Sequence, residues 1–152
     1  MPFARSTALM PGVRLSGALR SQAVAARIPM LQHGDFWLSE STAIVEYLED
    51  AFAPPRWPSV LPSDVRDRAR ARQVSLLTRN ELRALRRERP ATMIFYPQQQ
   101  PPPLGADARA EADELIEVAG RLLAGRSEFL FDGFTITDLD VAFALQRLRS
   151  TG

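Results

Sequence analysis

The sequence contains no cysteine, no lysine and only one histidine, His33. Disulfides, thiolate metal sites and cysteine nucleophiles are therefore excluded, and one histidine cannot form a histidine cluster around a metal ion. No stretch of the chain approaches the roughly 18 consecutive apolar residues of a membrane-spanning helix. The first residues carry a charge and prolines where a secretory signal needs an apolar core. We therefore expect a cytoplasmic protein with no metal ion and no membrane partner.

The composition fits one or two small soluble domains, because the 152 residues are 45% hydrophobic and carry a net charge of +1. All 19 basic residues are arginine, and residues 64–89 hold nine of them against four acids. This local excess suggests a nucleic-acid hypothesis. However, Arg68, Arg70 and Arg72 alternate with alanine and point around much of a helix. A solvated helix face is the favoured interpretation, and no nucleic-acid partner is expected.

Two short apolar runs, at 28–32 and 36–38, flank a turn at 33–35, and this pattern predicts a β-hairpin. Pro29 has no N–H to donate to a sheet, so it belongs at a strand start or in a special bend. The sequence leaves open whether the peptide bond before it is cis or trans.

A helix is predicted after the hairpin, with Ser39 as its N-cap and its end before Pro54. Its apolar positions recur at helical spacing, at Ala43, Ile44, Tyr47, Leu48 and Ala51. Four prolines then occur within twelve residues, which is too many for regular structure. The segment 54–63 is therefore a predicted linker between residues 1–53 and a helical part, residues 64–152.

Three helical patterns follow the linker. The first is predicted to run from Asp64 to Glu88, with a buried face formed by Val65, Ala69, Leu76, Leu77, Leu82 and Leu85. The second, at 107–124, is amphipathic, with Ala108, Ala112, Leu115, Ile116, Ala119, Leu122 and Leu123 on one face.

The last helix begins with a capping box formed by Thr135 and Asp138, flanked by the apolar pair Phe134 and Leu139. A second frame, shifted by two residues, would use Thr137 and Asp140 instead, and the first frame is preferred.

Glu40 and Ser41 stand where the hairpin meets its helix, so a carboxylate, a hydroxyl and unpaired helix amides are expected in one place. The Ser41 amide and hydroxyl would suit a ligand carboxylate, and Glu40 would suit an ammonium group on the same ligand. This combination fits an α-amino-acid head group. The alternative is that both residues are ordinary residues of a helix start, and spacing alone leaves that alternative open.

The segment RIPMLQ at 27–32, followed by LSESTAIVEYLE at 38–49, resembles the core of the amino-terminal domain of the glutathione transferase family. The segments DAFAPPRWP, RDRARARQ, RRERPATMIFY and FTITDLD extend the resemblance over roughly residues 17–150. It implies an α+β, mostly helical fold. In that fold the remnant of a thioredoxin-like domain, a hairpin plus a helix, precedes an all-α carboxyl-terminal domain.

The resemblance also implies a glutathione site. Pro29 matches the cis-proline of the family, and the backbone of Ile28 would pair with the cysteinyl amide groups of glutathione. Glu40 and Ser41 match the pair that holds the γ-glutamyl amino and carboxylate groups. The Thr135–Asp138 capping box matches a structural element of the family.

No catalytic residue is assigned. The thiol-activating residue of the family lies at the end of a first strand that finds no match here, and neither Ser6 nor Ser16 sits in a matching motif. Arg27 and Gln32 lie near the expected site. The alternative that both are ordinary polar residues of the surface is at least equally favoured. Relative to the family, the chain is expected to be truncated at both ends.

The expected function is that of a glutathione transferase, with glutathione as co-substrate for conjugation of a small electrophile or reduction of a peroxide. A homodimer is expected. The alternative is a truncated, non-catalytic member of the family that serves in dimerisation or partner binding.

Overall fold

A computed structural model describes residue 24 and residues 28–96, 101–126 and 128–149 of the chain. It divides the chain into two compact units, with the boundary between Pro58 and Ser59. That boundary falls inside the segment 54–63, whose role as a linker stays a prediction. The described residues contain one two-stranded sheet, six α-helices and one π-helical segment, which confirms the mostly helical α+β class.

In the first unit, strands β1 (Met30–His33) and β2 (Phe36–Ser39) form the predicted antiparallel hairpin. The register pairs Met30 with Ser39 at the open end and His33 with Phe36 beside the turn. Gly34 has a φ of 64°, and it takes the first position of the two-residue turn, where a type II′ turn requires positive φ. Pro29 lies just before β1 and follows a cis peptide bond.

Helix α1 (Ser41–Ala51) follows β2. The prediction that Ser39 caps this helix is wrong, because Ser39 is the last residue of β2 and Glu40 occupies the N-cap position. Pairing of Ser39 with Met30 keeps its backbone in the sheet, so the chain turns into the helix one residue later than the capping preference of serine suggests.

The second unit is helical among the residues described. It contains α2 (Val65–Leu76), a π-helical segment (Leu77–Glu81), α3 (Arg83–Glu88), α4 (Thr92–Phe95), α5 (Ala106–Leu123) and α6 (Ile136–Arg149). The Asp64 side chain caps α2 by accepting hydrogen bonds from the amides of Arg66 and Asp67, at 2.8 and 3.0 Å.

The prediction of one continuous helix from Asp64 to Glu88 is wrong, because the α-helix is interrupted near its middle. The α-helix gives way to the π-helical segment, and Leu82, with ψ 56°, separates that segment from α3. A carboxylate from α5 supports the start of α3. Glu111 accepts hydrogen bonds from the amides of Ala84 and Leu85, at 3.1 and 2.7 Å, and amides in the first turn of a helix have no intrahelical partners.

The buried face of α2 differs from the predicted one. Val65 and Leu76 are 76% and 47% exposed and Ala69 is exposed, so their predicted burial is wrong, whereas Leu82 and Leu85 are buried as predicted. The residues of α2 that enter the core are Ala71 and Val74, which pack in one cluster with Ala119, Leu130, Phe131 and Val141. A second cluster consists of Leu82, Leu85, Ala112, Leu115 and Ala144. Helix α5 contributes to both clusters.

Two buried arginines form hydrogen bonds at the carboxyl-terminal end of α3. Arg89 donates to the carbonyl oxygens of Glu88, at 3.1 Å, and Pro102, and Arg147 of α6 donates to the carbonyl oxygen of Arg89. Burial lowers the pKa of Arg147, and the positive charge of Arg86 lowers it further. Cationic side chains at this position satisfy carbonyl groups that a helix end leaves without intrahelical partners.

The capping box at the start of α6 forms in the preferred frame. Asp138 Oδ2 accepts hydrogen bonds from the amide and the hydroxyl of Thr135, each at 2.7 Å, and Asp138 Oδ1 accepts one from the amide of Leu130 at 2.8 Å. The second frame is not used as a box, because Thr137 is buried and bonded to the Ala71 carbonyl and Asp140 pairs with Arg79.

Asp138→Ala is expected to destabilise the helical unit by about 2 kcal/mol, because it removes a cap and leaves partly buried amides unsatisfied. Urea unfolding followed by far-ultraviolet circular dichroism measures this change. Asp113→Ala, which removes an exposed acid from the middle of α5, is the matched control and is expected to stay within about 0.5 kcal/mol of the parent. Equal unfolding midpoints for the two variants would contradict the structural role of the box.

Candidate functional site

The register of the hairpin brings the predicted site residues to one end of the first unit. Met30 and Ser39 form the last pair, so Pro29 enters and Glu40 leaves the hairpin at the same open end. Ile28 is 55% exposed, and Pro29 and Glu40 are exposed as well. The backbone before β1 and the start of α1 are therefore both accessible to a ligand at this end.

The start of α1 presents amide groups that the helix does not use. The first intrahelical bond at this end joins the Ile44 amide to the Glu40 carbonyl at 3.0 Å, so the amides of Ser41, Thr42 and Ala43 precede the first intrahelical donor. Glu40 makes no side-chain capping hydrogen bond to this helix. These amide dipoles give the helix start a partial positive charge that favours an anion.

A hydroxyl and a carboxylate stand side by side at the same point. The Ser41 hydroxyl donates to Glu40 Oε1 at 3.4 Å, so the hydroxyl and the carboxylate are neighbours at the start of α1. The arrangement therefore combines amide and hydroxyl donors for a carboxylate with an acceptor for an ammonium group. That is the pattern of an α-amino-acid head group.

Glu40 has an unusual backbone conformation, with φ 81° and ψ 117°. Positive φ at a residue with a Cβ atom is strained, and such residues occur mainly where the surrounding structure fixes them for function. Sequence reasoning missed this feature, because glutamate has none of the left-handed preference of glycine or asparagine and so gives no signal.

Aromatic side chains hold α1 against the hairpin at the other end of the strands. Tyr47 Oη lies 2.6 Å from His33 Nδ1, and its ring centroid lies 5.2 Å from that of Phe36. The ring of Phe52 packs 5.4 Å from His33. These contacts fix the direction of α1 and hence the position of its first residues at the open end.

The other residues named near the expected site are not brought to it. Gln32 Nε2 donates to the Gly34 carbonyl at 3.1 Å, so this side chain is engaged at the turn rather than at the open end. Arg27, Ser6 and Ser16 lie outside the described residues. Within the residues that the structure describes, no group of three metal-ligating side chains is found and no helix is long and apolar enough to cross a membrane.

Family models match both parts of the chain. The model of the glutathione S-transferase carboxyl-terminal domain matches residues 64–152, and that of the amino-terminal domain matches residues 6–56. The chain belongs to the glutathione S-transferase family. This result confirms the resemblance, and it identifies the hairpin and α1 as part of the thioredoxin-like domain and α2 to α6 as part of the all-α domain.

Individual members of the glutathione S-transferase family show the same relationship. Glutathione S-transferase theta-1 of Bos taurus is 31% identical over 147 residues, which cover 91% of this chain and 60% of that protein. Glutathione S-transferase U13 of Arabidopsis thaliana is 46% identical over 54 residues, which are 36% of this chain and 23% of that protein.

A solved structure of a Burkholderia glutathione transferase homolog with bound glutathione is 35% identical, with a TM-score of 0.67. It covers 84% of this chain, and the match covers 59% of that structure. The chain thus spans at most about three fifths of these relatives.

The strain at Glu40 is testable by comparing Glu40→Gly with Glu40→Ala. Both variants lose the carboxylate, but only glycine adopts positive φ without a Cβ penalty, so Glu40→Gly is expected to be about 1 kcal/mol more stable than Glu40→Ala. Both tryptophans, Trp37 and Trp57, lie in the first unit, so urea unfolding followed by tryptophan fluorescence reports on that unit. Equal stability of the two variants would mean that the backbone at Glu40 is not strained.

Proposed function

We propose that the open end of the hairpin binds glutathione and that the protein acts as a glutathione transferase. The observation that carries this proposal is that Pro29, Glu40 and Ser41 meet at one accessible end in a chain of this family. The glutathione bound to the Burkholderia homolog supports the choice of ligand.

In this proposal the γ-glutamyl end of glutathione lies at the start of α1. Its carboxylate accepts hydrogen bonds from the amide and hydroxyl of Ser41 and is favoured by the positive end of the helix dipole. Its ammonium group donates to the Glu40 carboxylate, which is exposed and lies beside that hydroxyl. The two opposite charges of the head group thus meet two complementary groups on adjacent residues.

The cysteinyl part of glutathione lies along the backbone in front of β1. Proline at position 29 removes one backbone donor, and the exposed Ile28 offers its amide and carbonyl groups as an edge for the tripeptide to pair with. Glutathione is thereby anchored at two points, and its thiol is directed away from the helix start.

The chemistry of a transferase resides in the glutathione thiol. A hydrogen-bond donor near the sulfur lowers the pKa of that thiol, and the thiolate attacks a small electrophile or reduces a peroxide. The residues at the open end bind and orient glutathione, and the thiol-activating residue is unassigned.

We also propose that the chain forms a homodimer, which the alternative role in dimerisation would likewise require, whereas the alternative role in partner binding would not. Support comes from family membership and from large apolar side chains on α5 and α6 that are 40% exposed or more, namely Ile116, Leu123, Leu139 and Phe143. Light scattering after size-exclusion chromatography measures the mass. A folded dimer that binds no glutathione would favour the non-catalytic role.

Glutathione is expected to raise the thermal unfolding midpoint of the full chain, because a ligand that binds only the folded state stabilises it. Ser41→Ala removes one donor to the ligand carboxylate and keeps the amide, so we expect about tenfold weaker binding by calorimetry. Ser63→Ala, an exposed serine of the other unit, is the control and is expected to bind as the parent does.

Two further measurements separate binding from catalysis. S-methylglutathione is expected to stabilise the parent chain as glutathione does, because the methyl group blocks only the thiol. Turnover of an aryl chloride electrophile then tests the transferase activity. A folded chain that gains no stability from either ligand would refute the proposed site, and binding without turnover would leave only the non-catalytic role.

A further inference from the structure

A cavity in the helical unit is lined by arginines. It has a volume of about 350 Å³ and lies between the first half of α2 and the end of α5. Four arginines line it, together with a single acid, Asp67. The arginines are Arg66 and Arg70 of α2, Arg121 of α5 and Arg126 in the loop that follows.

The acids near these arginines neutralise them weakly. The Arg121 Nε atom lies 3.7 Å from Glu117, and both side chains are 68% exposed. Arg126 contacts Asp132 at 3.0 Å, but the Asp132 side chain is 91% exposed. Ion pairs that are this exposed contribute little free energy and are readily exchanged for another anion.

The Arg70 guanidinium contacts an uncharged partner. Arg70 donates to the neutral amide oxygen of Gln73 at 2.6 Å, which offsets none of its charge. A guanidinium group carries more N–H donors than one such contact uses. The lining therefore holds four positive charges and one negative charge, and two of the arginines, Arg121 and Arg126, have exposed acidic partners outside the lining.

Leu130 and Phe131 also line the cavity, and each is only 4% exposed. Guanidinium groups match the oxygens of phosphate groups with pairs of parallel hydrogen bonds.

We propose that this cavity binds a small molecule carrying two or more phosphate groups. The volume exceeds what a single phosphate ion fills, and four guanidinium groups around one cavity match several phosphate charges. This inference is independent of the glutathione site, which lies in the other unit of the chain.

A nucleic acid fits the arrangement less well. A nucleic-acid backbone needs a row of cations, whereas Arg68 donates from its Nε to the Pro62 carbonyl at 2.8 Å and, like Arg72, does not line the cavity. The net charge of the whole chain is only +1. Four of the 19 arginines of the chain line this cavity.

Titration calorimetry of the full chain with pyrophosphate tests the proposal, at low ionic strength and again with added salt. Saturable binding of one pyrophosphate per chain, weakened by salt, is expected. Arg70→Gln/Arg121→Gln is expected to weaken it at least about tenfold, because two charge-assisted contacts are lost. Arg72→Gln/Arg109→Gln removes the same charge from outside the cavity and is expected to change affinity less than about twofold.

The outcomes are distinct. No saturable binding by the folded parent chain, or equal losses in the two double variants, would overturn the proposal. Tighter binding of a single-stranded oligonucleotide, lost equally in both double variants, would assign the charge to nucleic acid instead. Arg66→Gln replaces the first variant if that variant fails to fold by circular dichroism. Ser41→Ala is expected to keep pyrophosphate binding, so failure of the glutathione site and failure of this cavity are distinguishable.

Discussion

The carboxylate of Asp138 accepts three hydrogen bonds, and through them one side chain fixes both the first turn of α6 and the loop that leads to it. The bond from the Leu130 amide positions Leu130 and Phe131, which enter the same hydrophobic cluster as Val141 of α6. Without the carboxylate, the loop would lose its hydrogen bond to the helix, and nothing in this motif would hold Leu130 and Phe131 in the cluster. A local capping motif thus acts as a tertiary constraint.

The same helix start holds the segment that leads into α2. The Ile136 amide donates to the Val60 carbonyl at 2.8 Å, and Asp64 then caps α2 four residues later. Farther along, the Arg79 guanidinium and the Asp140 carboxylate form a two-point contact, at 3.0 and 2.8 Å, between the π-helical segment and α6. Helix α6 is therefore the element against which α2, its continuation and the loop before α6 are all positioned.

The elements that the sequence predicts well are those whose signals are local. The hairpin depends on residues within about ten positions of each other, and the Thr135–Asp138 box depends on four consecutive residues. The start of α3 involves instead Glu111, which accepts a hydrogen bond from the Leu85 amide 26 residues away in the sequence. No pattern within residues 64–88 indicates that carboxylate, so helical periodicity alone predicts one unbroken helix.

Residue types and family motifs predict the candidate site from the sequence, and the site stays a prediction, but they do not predict the positive φ of Glu40. Local preferences place the helix cap at Ser39, whereas the structure places it at Glu40 with positive φ. Residues that violate local preference are held by their surroundings. Here the Met30–Ser39 pair fixes the chain on one side of Glu40, and the bond from the Ile44 amide to its carbonyl fixes the other side.

This fixed geometry has a consequence for the proposed binding of glutathione. The strain at Glu40 is incurred when the unit folds, so it adds no cost when a ligand arrives. The amides at the start of α1 already face the open end, and the neighbouring carboxylate and hydroxyl stand beside them. In the proposed complex, a zwitterionic head group would therefore meet donors and an acceptor on a backbone that folding has already fixed, although the helix has only eleven residues and no buried side chain.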